Sequence, residues 1–463
     1  MTAERISPPL IACQECGLVV EATALDEGQK LLCPRCRHRL TFRVLQPSQR
    51  VVAYSVSCLM MLILSISFPF MSFSVKGLSQ EITLFHAVEM LDQFKYFLIA
   101  FVLLATVLIL PAIYISLILY LYLKAGSASS HLCSERQRRR IRLLCRVLFR
   151  VEPWLMVDVF LIGVLVSLVK ISSLADIGLG SSFWAFCVYS VLVVKCVSLI
   201  DRFWLWNQFI PPQPVEGVKA GDTHLDGNHT SCHVCHQINP ESAGKHTGCI
   251  RCGSLLHPYH PELNLQRSWA LLVTSVIFYI PANLYPMMNT VSFGSNTPTT
   301  ILEGILLLWD MGSYPVAVVI FIASMFIPLA KMFILGWLFL SAKKAQSLPG
   351  KDVMQRIKIY RMTEFIGRWS MVDIFVVSLM AALVQLQNLM AVYPGPAAVS
   401  FAIVVIFTML SAMVFDPRDL WQNPSEKDSG EHVTRDDATR EHATGYHVTS
   451  SMGEFNGMKE NER

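Results

Sequence analysis

This chain has little charge. Charged residues make up 16% of its 463 positions, whereas 53% are hydrophobic. That balance excludes an ordinary soluble domain of this length. No Walker A motif (G-x4-G-K-[ST]) occurs, which excludes a self-contained P-loop ATPase. The apolar stretches contain no histidine pair of the kind that ligates haem. The net charge of +4 is modest and the basic residues cluster beside apolar blocks, which argues against a nucleic-acid partner. The first 50 residues hold no apolar block, so no cleavable signal peptide is expected.

What is present is a series of apolar blocks close to the length that spans a bilayer. Spans are expected near 51–71, 96–123, 154–174 and 183–203, and again near 269–288, 314–340, 371–389 and 397–415. Segment 124–150 carries Arg136, Arg138, Arg139, Arg140, Arg142, Arg146 and Arg150. Segment 343–368 carries Lys344, Lys351, Arg356, Lys358 and Arg361. The opposite loops are poor in base, with only Lys76 and Lys95 in 72–95 and none in 289–312 or 390–396. The positive-inside rule then places both termini and the central linker in the cytoplasm. The segment after Trp421 is polar and aperiodic, and its His432, His442 and His447 are expected to be solvated.

The chain also repeats itself. Trp154-Leu155-Met156-Val157-Asp158-Val159-Phe160 returns as Trp369-Ser370-Met371-Val372-Asp373-Ile374-Phe375, an offset of 215. The same offset carries Asp201 onto Asp416 and Trp206 onto Trp421. An offset of 217 carries Phe68-Pro69 onto Tyr285-Pro286 and Leu110-Pro111 onto Ile327-Pro328. Four spans per half make this a parallel repeat, with its pseudo-twofold axis along the membrane normal.

Ahead of each half stand two CxxC pairs: Cys13 and Cys16 with Cys33 and Cys36, then Cys232 and Cys235 with Cys249 and Cys252. Two thiolates separated by two residues share one turn, and two such turns complete a tetrahedron around a metal. Gly17, Pro34 and Gly253 suit tight knuckle turns. A reducing cytosol favours metal over disulfides. Structural zinc, two ions per chain, is the common outcome for such sets; a rubredoxin-like iron site uses the same ligands and stays open. Cys58, Cys133, Cys145, Cys187 and Cys196 are expected to be small apolar fillers. His233, His236 and His246, surplus to a complete set, are expected at the surface.

Ionisable groups inside spans mark function or a shared structural need. Asp158 and Asp373 occur in both halves, so a common hydrogen bond or ion pair explains them as well as function does. Lys331 is more specific. Ser324 and Lys331 lie seven apart and share a helical face, with Pro328 freeing a carbonyl between them. Their first-half counterparts are Val107 and Tyr114, and Thr408 corresponds to Val193. A transport cluster of Ser324, Lys331, Asp373 and Thr408 is therefore expected in the second half, the bland alternative being that Lys331 snorkels to the interface. Lys170, matching Gln385, is a secondary polar candidate with Asp158, and Lys195 is a possible partner of Asp158. Segments 82–91 and 300–309 read as short interfacial helices or as a docking surface.

Two zinc-ribbon-like domains, each leading a four-span module with a Trp-x-Met-Val-Asp-x-Phe block, resemble the paraquat-inducible protein A family. The likeness covers roughly residues 10–421 and includes Gly180-Ser181-Ser182-Phe183, Tyr279-Ile280-Pro281-Ala282-Asn283-Leu284 and Gly367-Arg368-Trp369-Ser370-Met371. The resemblance implies a polytopic α-helical protein of the cell inner membrane that moves phospholipid to or from a periplasm-spanning partner of the mammalian-cell-entry (MCE) type. It implies a polar network in the second module, and no enzyme activity. The expected organisation is ribbon 1–50, four helices 51–206, linker 207–231, ribbon 232–267, four helices 268–421 and tail 422–463. A membrane redox protein with iron in its knuckles, or a regulatory scaffold, are the competing classes.

Overall fold

The computed structural model describes residues 9–23, 25–75, 78–83, 101–126, 135–171, 176–240, 248–256, 259–292, 295–310, 312, 314–343, 350–383, 385–386 and 390–421. For some residues inside these elements, Lys170 and Asp373 among them, only the backbone is described. The tail histidines, His246, Cys133 and the segment 84–91 lie outside the described residues.

The first half opens with two antiparallel hairpins, β1 (Leu10–Ala12) with β2 (Val19–Glu21) and β3 (Lys30–Leu32) with β4 (Arg39–Phe42). Helix α1 (Pro47–Ser67) follows, started by Pro47, whose fixed φ suits a first helical position where no N–H partner is needed. Then come β5 (Met71–Val75), β6 (Leu78–Ile82), α2 (Leu110–Gly126), the arginine-rich α3 (Glu135–Val151), α4 (Val157–Ile171), β7 (Asp176–Leu179), α5 (Ser181–Ser198) and α6 (Arg202–Phe209). The second half runs β8 (His229–Ser231), β9 (Ile238–Pro240), α7 (Pro261–Leu284), β10 (Met288–Ser292), β11 (Ser295–Thr299), α8 (Ile301–Asp310), α9 (Tyr314–Phe321), α10 (Ile327–Lys343), α11 (Gly350–Trp369), α12 (Val372–Leu383), β12 (Gln385–Leu386), β13 (Met390–Pro394) and α13 (Pro396–Val414).

Among the described residues six helical stretches are long and apolar enough to cross a membrane: Pro47–Ser67, Phe101–Gly126, Glu135–Leu168, Ser181–Ser198, Ala317–Lys343 and Pro396–Val414. Two expected spans fall outside this set. At 269–288, α7 is 24 residues long, but Thr274, Ser275, Tyr279 and Asn283 dilute its apolar run. At 371–389 the expectation is corrected. Helix α12 stops at Leu383 after 12 residues, and Gln385–Leu386 has already turned into a strand. Twelve residues rise only about 18 Å, short of the ~30 Å hydrocarbon core.

The repeat survives folding in detail. Strand β5 pairs with β6 and β7, so that Met71 faces Ile82 and Leu179. Strand β10 pairs with β11 and β13, so that Met288 faces Thr299 and Pro394. These are the same partners displaced by 217 and 215. Gly180 and Gly395, leading into α5 and α13, occupy matching close approaches. A Cβ on either would lie 2.0 Å from a carbonyl oxygen, of Pro69 and Pro286 respectively, so only glycine fits.

Each half also contains a π-helical segment, Leu104–Ile109 and Ile322–Phe326, immediately before its proline. Pro111 and Pro328 lack an N–H, and their rings crowd the carbonyl four residues earlier; widening the turn relieves that crowding. The conserved-offset blocks open α4 and α12, which pack on each other. Phe160 meets its own counterpart Phe375 edge-on, with ring centres 5.5 Å apart. A residue touching its counterpart is the mark of a two-fold relation.

Candidate functional site

In each ribbon the four cysteine Sγ atoms are buried and lie within 4.8 Å of one another. The pairs Cys13–Cys36 and Cys16–Cys33 are 3.5 Å apart, and Cys232–Cys252 and Cys235–Cys249 are 3.6 Å. Four sulfurs about 2.3 Å from a tetrahedral metal sit roughly 3.8 Å from each other, so both sets fit one ion each. In all four knuckles the residue after the second cysteine is left-handed: Gly17 (φ 71°), Arg37 (56°), His236 (57°) and Gly253 (70°). Its N–H donates to the carbonyl of the first cysteine at 2.8–2.9 Å. Gly17 and Gly253 were legible as such; Arg37 and His236 adopt the strained conformation because the closed turn requires it. His236 corrects a sequence expectation. Its Nε2 is sealed from solvent, and burial holds the imidazole neutral, lowered to about 3, with Arg202 next in effect.

The ribbons dock crosswise. Arg35, between Cys33 and Cys36, places its guanidinium 4.3 Å over the ring of Trp421, at the end of the second half. Arg251, between Cys249 and Cys252, is fully buried 6.0 Å from the rings of Phe203 and Trp206, at the end of the first half. It donates to the Ile210 carbonyl at 2.8 Å and the Cys235 carbonyl at 3.1 Å. Arg361 of α11 chelates Glu15 of the first ribbon and donates to the Cys36 carbonyl at 2.9 Å. Burial alone would raise the Glu15 carboxyl, but His38 and Arg361 reverse this and hold it low.

The exit segments stay with their own halves. Thr41 donates to Asp201 at 2.5 Å, and Tyr259 donates to Asp419 at 2.5 Å. Asp201 also caps α6 by accepting from the Phe203 and Trp204 amides. Its counterpart Asp416 likewise caps the turn after it, accepting from the Arg418 amide, and also holds the Arg418 guanidinium in a bidentate pair at 2.5 and 2.9 Å. Burial raises the Asp201 carboxyl, with its hydrogen bonds offsetting part. Burial would raise Asp416 too, but Arg418 holds it down.

Within the helices, Lys331 is 2% exposed and donates to Thr408 Oγ1 at 3.1 Å, while Thr408 donates to the Val405 carbonyl at 2.9 Å. Lys331 therefore does not snorkel. Ser324 is buried within the π-helical segment before it. The side chain of Asp373 lies outside the described residues, as does that of Lys170. Lys195 is exposed and makes no ion pair with Asp158 among the described residues.

A residue that sequence reasoning missed completes the lysine's place. A Cβ on Gly367 would stand 3.0 Å from the Lys331 Nζ. The repeat offset of 215 puts Glu152 at the first-half position of Gly367. The first half thus pairs Tyr114 with Glu152 where the second pairs Lys331 with Gly367. Lys331 and Gly367 line a cavity of about 450 Å³ between the halves, together with Asp158, Arg202, Glu364 and Arg368. At 300–309 the expected short helix is present as α8, opened by a capping box in which the Thr300 amide donates to Glu303 and the Glu303 amide to Thr300.

Apolar helices long enough to span a bilayer, joined to two buried tetrathiolate centres, define a multi-pass helical membrane protein with two metal-binding sites. The model of the family described as paraquat-inducible protein A matches residues 48–210 and 265–424, one stretch in each half, and the chain belongs to that family. It is 40% identical to an Escherichia coli protein named intermembrane transport protein PqiA, over 91% of this chain and 97% of the relative. A Haemophilus influenzae protein named probable intermembrane transport protein is 27% identical over 90% of this chain and 97% of the relative. An E. coli protein named lipophilic envelope-spanning tunnel protein A is 27% identical over 88% and 90%. No solved structure matches.

Proposed function

We propose that this chain is the inner-membrane subunit of an intermembrane lipid transport system, passing phospholipid between the inner membrane and an MCE-type, periplasm-spanning conduit. The observation that carries this reading is the 40% identity across nearly the whole chain to a protein named for intermembrane transport. The buried Lys331–Thr408 contact, present in one half only, supports a transport role for Ser324, Lys331, Asp373 and Thr408. The chain is read as a carrier and not an enzyme.

The proposed topology has both termini and the ribbons in the cytoplasm. Two modules, 51–206 and 268–421, are related by an axis along the membrane normal, with ribbons 1–50 and 232–267, linker 207–231 and tail 422–463. The Phe160–Phe375 contact and the arginine-rich α3 on the ribbon side support this arrangement. Zinc is the proposed ion at both centres. Each ion would join the two knuckles of its own ribbon, a purely structural role.

A pull-down from mild detergent tests the function. An MCE-type protein and phospholipid should accompany the chain; recovery of neither would overturn the reading. Metal analysis should return about two zinc per chain in a colourless protein. A coloured, iron-bearing protein would move the reading to the redox class.

A further inference from the structure

The cavity between the halves contains more chemistry than a lone lysine requires. Of its charged lining, Arg202 and Glu152 neutralise each other in an ion pair at 3.1 Å, and Arg202 also donates to the His233 carbonyl of the second ribbon. This places the cavity at the ribbon end of the helices. Four charged groups then remain: Lys331 and Arg368 as cations, Asp158 and Glu364 as carboxylates. None of the four makes an ion pair with another among the described residues.

Charges of both signs around one half-open space, with Lys331 buried in its wall and Glu364 and Arg368 neighbours on its exposed rim, select a ligand. A simple anion would satisfy Lys331 and Arg368 but would face two carboxylates. A simple cation would meet Lys331 and Arg368 with charge of their own sign. A ligand with a phosphodiester at one end and an ammonium at the other matches both pairs. The remaining wall is apolar, with Val193, Val194, Val197, Met409 and Met413 among its residues. Such a wall suits the ester and acyl region of a lipid. A volume of about 450 Å³ holds a headgroup and its glycerol with space to spare.

Lys331 is also pre-set for the phosphate. Thr408 takes one of its three donors, which fixes the amine, and the other two have no partner among the described residues. Gly367 keeps the approach clear, since any side chain there would crowd Nζ from 3.0 Å. The first-half counterparts, Tyr114 and Glu152, offer no cation, so the site is single although the fold is doubled.

We propose that this cavity binds the headgroup of a zwitterionic glycerophospholipid, with phosphate on Lys331 and Arg368 and ammonium on Asp158 and Glu364. The proposal rests on the lipid-transport reading above and specifies its substrate class.

The test uses the full-length chain in mild detergent, titrated with dihexanoyl phosphatidylethanolamine and, separately, dihexanoyl phosphatidylglycerol, with binding read by native mass spectrometry. The ethanolamine lipid should bind about tenfold more tightly than the glycerol lipid, a difference of roughly 1.4 kcal/mol. The double change Asp158→Asn with Glu364→Gln should level that preference by strengthening the glycerol lipid, and Lys331→Met should weaken both. Gly367→Ala, which leaves every charge in place, should weaken both to a lesser degree, guarding against misfolding of the lysine variant. Equal binding of the two lipids to the unaltered chain, or an unchanged preference in the double variant, would overturn the proposal. The pull-down bears only on transport. A chain that discriminates headgroups but recovers no conduit protein keeps the site and loses the transport reading; the reverse result keeps transport and loses the site.

Discussion

The two halves agree in most of their backbone pairing, the added strand β12 of the second half apart, and diverge where side chains point into the space between them. The sheets built on β5 and β10 have the same register, each half has a π-helical turn before its proline, and Gly180 and Gly395 sit equally close to a carbonyl. Tyr114 and Glu152 nevertheless become Lys331 and Gly367, and Val193 becomes Thr408. A duplicated scaffold constrains packing strictly, because one misplaced atom disturbs a close-packed interior. The lining of a cavity is under no such constraint, so the copies could separate there in chemistry without separating in shape.

The largest effect expected bears on the crossed ribbons. A structural zinc contributes on the order of 10 kcal/mol to its domain. Cys16→Ser and Cys235→Ser should each remove one of the two metals, read by metal analysis. Because the knuckle arginines reach the opposite half, losing the first site should release Trp421 more than Trp206, and losing the second the reverse. Hydrogen exchange at 202–210 and 415–421 reports this. Deprotection confined to the same half in each variant would break the crossed arrangement.

Next comes the symmetric pair. Gly180→Ala and Gly395→Ala each force a Cβ to 2.0 Å from a carbonyl oxygen. Each should destabilise by about 3 kcal/mol, the upper range for overpacking. Thermal unfolding in detergent should give matching losses; a loss in one variant alone would mean that the two sheets are not equivalent.

The functional asymmetry is sharpened by a third comparison. Lys331→Ala should abolish lipid transfer, since it removes the cation, while Thr408 keeps its bond to the Val405 carbonyl. Tyr114→Phe should leave transfer within about twofold, because the Tyr114 hydroxyl is buried with no hydrogen-bond partner among the described residues. Equal sensitivity at the two positions would sink the assignment of transport to the second half.

How much of this could be read from residue order varied with the kind of signal. The knuckles were legible because CxxC spacing dictates its own turn, and the repeat because block and offset agree over long stretches. The lysine stood out because a charge within an apolar run is improbable unless it is buried for a reason. Three things were hidden. Arg35 and Arg251 looked like generic knuckle residues, since nothing in local sequence names a ring nearly four hundred, or some fifty, positions away. Gly367 read as part of a motif, because the reason for a missing side chain lies on another helix. Apolar composition alone extended a span through 371–389, where a short helix yields to a strand that pairs with β13; hydropathy carries no register.

The smallest effect separates the two helix ends. At the 215 offset, Phe203 and Trp204 become Arg418 and Asp419, so only the second half has a carboxyl beyond its capping aspartate. Asp419 accepts from Tyr259 through Oδ1, while Oδ2 is buried with no partner among the described residues. Burial is the main reason its carboxyl is raised to about 7, the Tyr259 bond opposing the shift and neighbouring Asp416 adding to it. An unfolded aspartate titrates near 3.9. Across the interval between these values the folded protein holds a proton that the unfolded chain has released. The contribution is therefore complete below about pH 4 and is lost as pH rises through 7, by at most about 1.4 kcal/mol per pH unit. The unfolding temperature should fall between pH 5 and pH 8, and Asp419→Asn, which cannot ionise, should flatten that fall. A variant that keeps the full slope would assign the pH dependence elsewhere, with Glu15 excluded by sign: its lowered carboxyl loses stability as pH falls, not as it rises.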